Sequence, residues 1–464
     1  MIFSVADPPD HIAIPQAREA VWVERLLWLF LMSFALDYRS ETARESSGGA
    51  GIDQLIFLAS CIGSTLGIVG LGWRFLTIRP GAWLIAFWGL FMTFMMVNSI
   101  AQGVQIGRSL RVIMPLVFCF FGIINAHIAG CSGIRPSRIV KPVFWAACIN
   151  ILWRIVQGFL FKGVALETVR FEVQSPANGW IAAWIACAIL LRGRFHWNLL
   201  VACGVLFIGI FITITRSLIF PVMAGGLAAT VCFMLGVQWR IYRWSSLGKR
   251  LLPVGAALSL VVVAVGLVMV FQPMMIERWN ERLFHNASDR NLGKDDISYL
   301  TRRAEADAMW KILSDDPVHF INGRGIGTSY YWDTAYMPEI WMVIPKEEAS
   351  VDEIWFAGHS IWTYAVLSGG VIALVCYLVL IGNTMVSSLL TARGNASDPG
   401  PDQWLAFLPF VATLCLLSES LTANPFQERL IGIFFGVMAG LPQAFMVRSS
   451  WIHTSTPVLP RQSS

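Results

Sequence analysis

The chain has 464 residues, of which 56% are hydrophobic and 14% charged, with a mean hydropathy of +0.62. A soluble protein carries about a quarter charged residues, so this composition excludes a water-soluble domain and marks a polytopic membrane protein. The formal charge of +5 says little alone, because the charges are sorted along the chain, and nothing in them reads as a nucleic-acid surface.

The N-terminal stretch MIFSVADPPDHIAIPQAREA lacks a basic start, a short apolar core and a small-residue cleavage site, so no cleavable signal peptide is expected. Apolar runs of about 17–25 residues read as spanning helices. Twelve occur, at roughly 21–37, 53–72, 82–100, 110–129, 142–161, 177–192, 197–214, 217–236, 251–271, 360–382, 404–420 and 427–447. Alternate connections hold Arg74 and Arg79, then Arg135, Arg138 and Lys141, then Arg192 and Arg194, then Arg240, Arg243, Lys249 and Arg250, and last Arg393. Basic residues stay on the cytoplasmic side. With an even helix count, these connections and both termini are expected in the cytoplasm. The predicted organisation is helices 1–9 over residues 1–271, an outward-facing loop over 272–358, helices 10–12 over 359–447 and a cytoplasmic tail over 448–464.

The long loop is acidic and rich in aromatics, Trp332, Trp341 and Trp355 among them. Within it, SYLTRRAEADAMWKILSDDP predicts an amphipathic helix with Leu300, Ala304, Ala308, Met309, Ile312 and Leu313 at helical spacing, ended by Asp316-Pro317. The glycine-rich INGRGIGTS that follows is a poor nucleotide motif. It reads better as a turn where backbone passes close to backbone. The nine cysteines lie in or beside apolar spans with no CxxC pair, so neither a disulfide framework nor a metal site is suggested. No cofactor is expected.

By this topology His359 sits where the loop enters the tenth span. It reads either as an interfacial residue at a helix start or as a general base, since an imidazole accepts protons near neutral pH. Arg216, in ITITRSLIF, lies at the outer boundary between the seventh and eighth spans. It is a snorkelling anchor or a phosphate clamp, whose guanidinium fork matches phosphate oxygens. Arg302 and Arg303 form either a solvated helix face or the rest of a diphosphate site. Arg108, Arg111, Arg170, Arg324 and Glu419 are further outward polar groups in acceptor or supporting positions.

The order of TITRSLI, TRRAEADAMWKILSDDPVHFINGRGIG and GHSIWTYAVLSGGVIALV resembles the O-antigen ligase and polymerase family of bacterial envelope glycosyltransferases. The likeness covers roughly residues 200 to 390. It implies an all-α, GT-C-like fold of about twelve spans with one long, partly helical periplasmic loop between helices 9 and 10, in the bacterial inner membrane. It also implies metal-independent, inverting transfer of a glycan from undecaprenyl diphosphate to a sugar hydroxyl, on lipid A-core or on another lipid-linked glycan. His359 is then the base, and Arg216 with Arg303 or Arg302 the diphosphate clamp. The rival reading is a transporter or flippase of lipid-linked sugars. Arg154, near the middle of the predicted fifth span, keeps it open unless an acidic residue or a carbonyl pairs with it. A third reading is a scaffold or sensor with an acidic external domain.

Overall fold

The computed structural model describes residues 17–38, 52–79, 81–164, 173–194, 196–213, 218–271, 274, 276–277, 279–280, 297–341, 354–397, 400–421 and 423–454. Among the described residues the regular structure is helical, apart from one isolated antiparallel bridge, Tyr330 to Trp355. Every predicted apolar segment contains a helix. These are α1 (Ala17–Met32), α2 (Ile52–Gly72), α3 (Gly81–Ala101), α4 (Ile106–Cys131), α5 (Pro136–Val156), α6 (Asn178–Cys187), α7 (Trp197–Thr213), α8 (Ile219–Gln238) and α9 (Leu247–Phe271), and, after the long polar segment, α12 (Ile361–Gly394), α13 (Leu408–Glu419) and α14 (Arg429–Thr454). The polar segment holds α10 (Ile297–Ser314) and α11 (Pro317–Asn322), and a short helical turn at Met337–Ile340 follows them among the described residues.

Among the described residues, six helices are long and apolar enough to cross a membrane: Ile52–Thr77, Gly81–Ala101, Ile106–Cys131, Pro136–Phe161, Ile219–Gln238 and Ile361–Gly394. Shorter apolar helices cover Asn178–Arg192, Trp197–Thr213, Leu408–Glu419 and Arg429–Gln443. Aliphatic side chains such as Leu66, Leu90 and Leu227 stand exposed, as a surface solvated by lipid rather than water allows. The chain is an all-α membrane protein.

In lipid, helices gain little from hiding apolar surface and instead associate by close packing of small residues. The pair α4–α14 is built this way. Gly432, Gly436 and Gly440 recur every four residues and so form one stripe. A Cβ on Gly432 would run into the Pro115 carbonyl, and one on Gly436 into the Cys119 carbonyl. From the other side, a Cβ on Gly122 would come within 2.7 Å of the Ile433 carbonyl. Fully buried Phe434 and Phe435 flank the contact. Gly436→Ile is expected to force the helices apart and to destabilise by about 1–3 kcal/mol or more, as overpacking does. Gly226→Ala, where a Cβ meets open space, is expected to be neutral. Thermal unfolding in detergent checks the pair.

One end of the bundle is polar inside. Asn150 donates to the Ala35 carbonyl at 3.1 Å and accepts from Ser175 at 2.7 Å, and Gln54 donates to Asp37 at 2.8 Å. Arg154 belongs to this end. It stands in the last turn of α5, beyond which the span runs on through a π-helical turn to Phe161. Its guanidinium donates to the Gln174 carbonyl at 2.5 Å and lies 3.7 Å from Glu428.

The same end carries the break in α12. A straight 34-residue helix would run about 51 Å, far beyond the ~30 Å hydrocarbon layer. At Gly369 (φ −143°, ψ 16°) and Gly370 (φ 65°, ψ −161°) the backbone leaves the helical region. Ile361–Ser368 therefore forms a separate stub, and His359 lies just before it. The break exists because α11 presses on it: a Cβ on Gly370 would overlap the Ile321 carbonyl.

Candidate active site

The helix α10 forms as its periodicity predicts, with Leu300, Ala304, Ala308, Met309 and Leu313 buried. It ends at Ser314. Asp316 does not end it but caps the next helix, accepting the Val318 N–H at 2.9 Å, with Pro317 at the first helical position. The glycine-rich turn then threads between three helices. Gly323, Gly325 and Gly327 have φ of 73°, 92° and 86°, values that only glycine adopts without strain. Their missing side chains admit Gly369, Ser99 and Ser109 backbone respectively. The turn is pinned by Asn98 donating to Asn322 O (2.6 Å), Ser99 to Ile326 O (2.9 Å), Arg324 N–H to Leu367 O (2.7 Å) and Gly325 N–H to Ser368 O (3.0 Å).

Anchored in this way, α10 presents Glu305 to His359. The Glu305 carboxylate, 2% exposed, accepts the His359 backbone N–H at 2.7 Å and its Nδ1–H at 2.5 Å. The tautomer follows from the partner: a carboxylate facing Nδ1 places the proton there and makes Nε2 the basic nitrogen of the ring. The imidazole itself is 46% exposed. A buried carboxylate thus orients an exposed imidazole, an arrangement that general-base chemistry can use.

Other elements hold the segment before His359. A Cβ on buried Gly358 would lie 2.8 Å from Met309 and 2.9 Å from the Glu305 carboxylate, so only glycine fits. The Gly358 carbonyl accepts from Asn424 at 3.1 Å and from Gln427. The Tyr330–Trp355 bridge is closed by bonds of 2.8 and 2.9 Å. Burial and the nearby Glu305 carboxylate keep the Tyr330 phenol well above its usual range. Trp332 stacks parallel on Trp355, with centroids 5.0 Å apart, and the His359 ring lies 5.4 Å from Trp355. Lys311 bonds Asp333, beside Trp332, at 2.6 Å, and this holds the Asp333 carboxyl below its usual range.

The cations divide. Arg302 lies one turn before Glu305 and so shares its helix face. Arg303 points away: it is exposed, with its guanidinium 5.6 Å from the Tyr336 ring. Of the two, Arg302 is the better placed, the reverse of the sequence-based preference. Arg111 sits 5.9 Å from the Phe356 ring, three residues before His359, and Arg108 borders the Gly327 turn. Arg324 is half-buried beside His319, 3.2 Å from its Nε2. Glu419 packs on Gly179 and accepts its N–H in the first turn of α6. That is a helix-end contact. Arg216 and Arg170 lie outside the described residues.

Glu305 is the residue that sequence reading missed. Its signal was present: it lies four positions before Met309, in the register of the apolar stripe, where an acidic residue has no place unless it is paired. No protein-family model matches the chain, and no curated protein matches it.

Proposed function

We propose that this protein is a membrane glycosyltransferase of the O-antigen ligase or polymerase type. It would move a glycan from undecaprenyl diphosphate to a sugar hydroxyl at the periplasmic face of the inner membrane, within a twelve-span, GT-C-like fold with both termini cytoplasmic. The observation that carries this reading is the Glu305–His359 pair, a buried carboxylate orienting an exposed imidazole, with arginines on the neighbouring elements.

In this mechanism His359 Nε2 accepts the proton of the acceptor hydroxyl as its oxygen bonds to the anomeric carbon. The bond from that carbon to the diphosphate breaks on the opposite face, and the configuration inverts. Lipid diphosphate leaves with the bonding electrons. Its charge is met by Arg302, Arg108 and Arg111, together with Arg216, through charge-assisted hydrogen bonds; the reading requires no metal. The stacked Trp332–Trp355 pair offers an aromatic wall for sugar rings.

The rival reading is a transporter or flippase of lipid-linked sugars. Arg154, the charge that kept it open, is buried and paired with Glu428 and the Gln174 carbonyl, which favours its structural reading over a transport site.

Glu305→Gln tests the pair. Gln presents only one oxygen where two N–H groups need acceptors. Transfer is expected to drop by about 10²-fold or more in kcat, as loss of an orienting carboxylate does, with KM little changed. Unchanged kcat would remove Glu305 from the mechanism.

A further inference from the structure

The α10–α11 edge exposes four large apolar side chains: Trp310 (60%), Val318 (55%), Phe320 (41%) and Ile321 (59%). Trp310 and Phe320 meet edge to face at 5.8 Å. Between the two helices lies an open groove of about 410 Å³, lined by Trp310, Leu313, Ser314, Pro317, Phe320 and Ile321. A contiguous apolar patch on an otherwise polar segment marks an interaction surface.

Its height identifies the partner. At 21 residues, α3 is about 31 Å long, which matches the hydrocarbon layer, so its last turn marks a membrane boundary. Asn98 and Ser99 of that turn bond the carbonyls of Asn322 and Ile326, which puts α11 at the same level. The patch also adjoins exposed apolar side chains of the spans. Val97 and Ile100 of α3 lie beside the bonded turn, and Val371 and Ile372 of α12 follow the break that Ile321 overlies. The lipid-facing belt therefore continues onto α11. His319 and Arg324 pair with each other and do not interrupt it.

We propose that Trp310, Val318, Phe320 and Ile321 form a membrane-docking surface seated among the acyl chains of the bilayer at the His359 end of the bundle. The tryptophan suits this depth, where amphipathic rings collect. The contact fixes how far the Glu305–His359 pair stands from the bilayer: the stub Ile361–Ser368 separates them by about 12 Å. This inference concerns placement in lipid and does not depend on the proposed transfer reaction.

The test is depth-dependent quenching of the full-length protein in phosphatidylglycerol–phosphatidylcholine liposomes. A bimane label is placed at Ile321→Cys, at Val318→Cys or, as a control, at exposed Ser329→Cys. The background carries Cys203→Ser and Cys376→Ser, which remove the two half-buried thiols. At 318 and 321, lipid with a doxyl group on the acyl chain is expected to quench at least about twofold more than aqueous iodide, as for a segment inserted among acyl chains. The order should reverse at 329. Iodide quenching at 318 and 321 equal to that at 329 would overturn the proposal. Protection from both quenchers would also overturn it, by showing a protein cover instead of lipid. If one cysteine variant fails to fold, the other position still decides.

Discussion

His359→Ala is expected to lower glycan transfer by about 10²–10⁴-fold, the range that a positioned general base contributes. The alanine also strands one oxygen of buried Glu305, which now accepts the Nδ1–H at 2.5 Å, and a lost partner for a buried charge costs stability. His359→Asn separates the two effects. The Asn amide N–H can replace the Nδ1–H toward Glu305, but no proton acceptor stands where Nε2 was. The asparagine variant is expected to unfold at the wild-type temperature and still lose transfer. Transfer assays paired with thermal unfolding measure both quantities on one sample. An asparagine variant with wild-type rates would leave His359 as an ordinary helix-start residue.

Gly370→Val is expected to be the most damaging single substitution away from the dyad. With φ 65° and ψ −161° the position lies where only glycine is at ease, at a cost of about 1–3 kcal/mol for another residue. The new side chain would also overlap Ile321 and Asn322 backbone. Both effects push α11 off α12. Because α11 and the glycine turn anchor α10, Glu305 moves with them, so stability and transfer should fall together. Gly382→Ala, in the same helix with open space around its Cβ, is expected to change neither. Loss of transfer in Gly370→Val without loss of stability would mean that the break acts on chemistry directly.

Much of the fold was legible because lipid imposes simple rules. Each predicted apolar segment contains a helix, the stripe from Leu300 to Leu313 is buried apart from half-buried Ile312, and Gly323, Gly325 and Gly327 admit close backbone neighbours as their pattern implied. What was not legible depends on partners distant in sequence. Gly369 and Gly370 look like ordinary small residues in a span until Ile321 is packed against them. Arg154 stood out in the sequence as a charge within an apolar span. Its pairing with Glu428 and the Gln174 carbonyl required those groups to be brought together in space. The glycines of α14 gain meaning only from Pro115 and Cys119 on α4. Glu305 is 54 positions from His359, and no local pattern joins them.

The central claim is that the protein moves a glycan from a lipid diphosphate to a hydroxyl. The most direct measurement is transfer by the purified wild-type protein in lipid, with a polyprenyl diphosphate-linked oligosaccharide as donor, candidate sugar acceptors and EDTA. The account predicts a new glycosidic bond of inverted configuration, with one lipid diphosphate released per bond formed. Movement of intact donor across the bilayer, with no bond formed to any acceptor, would contradict it.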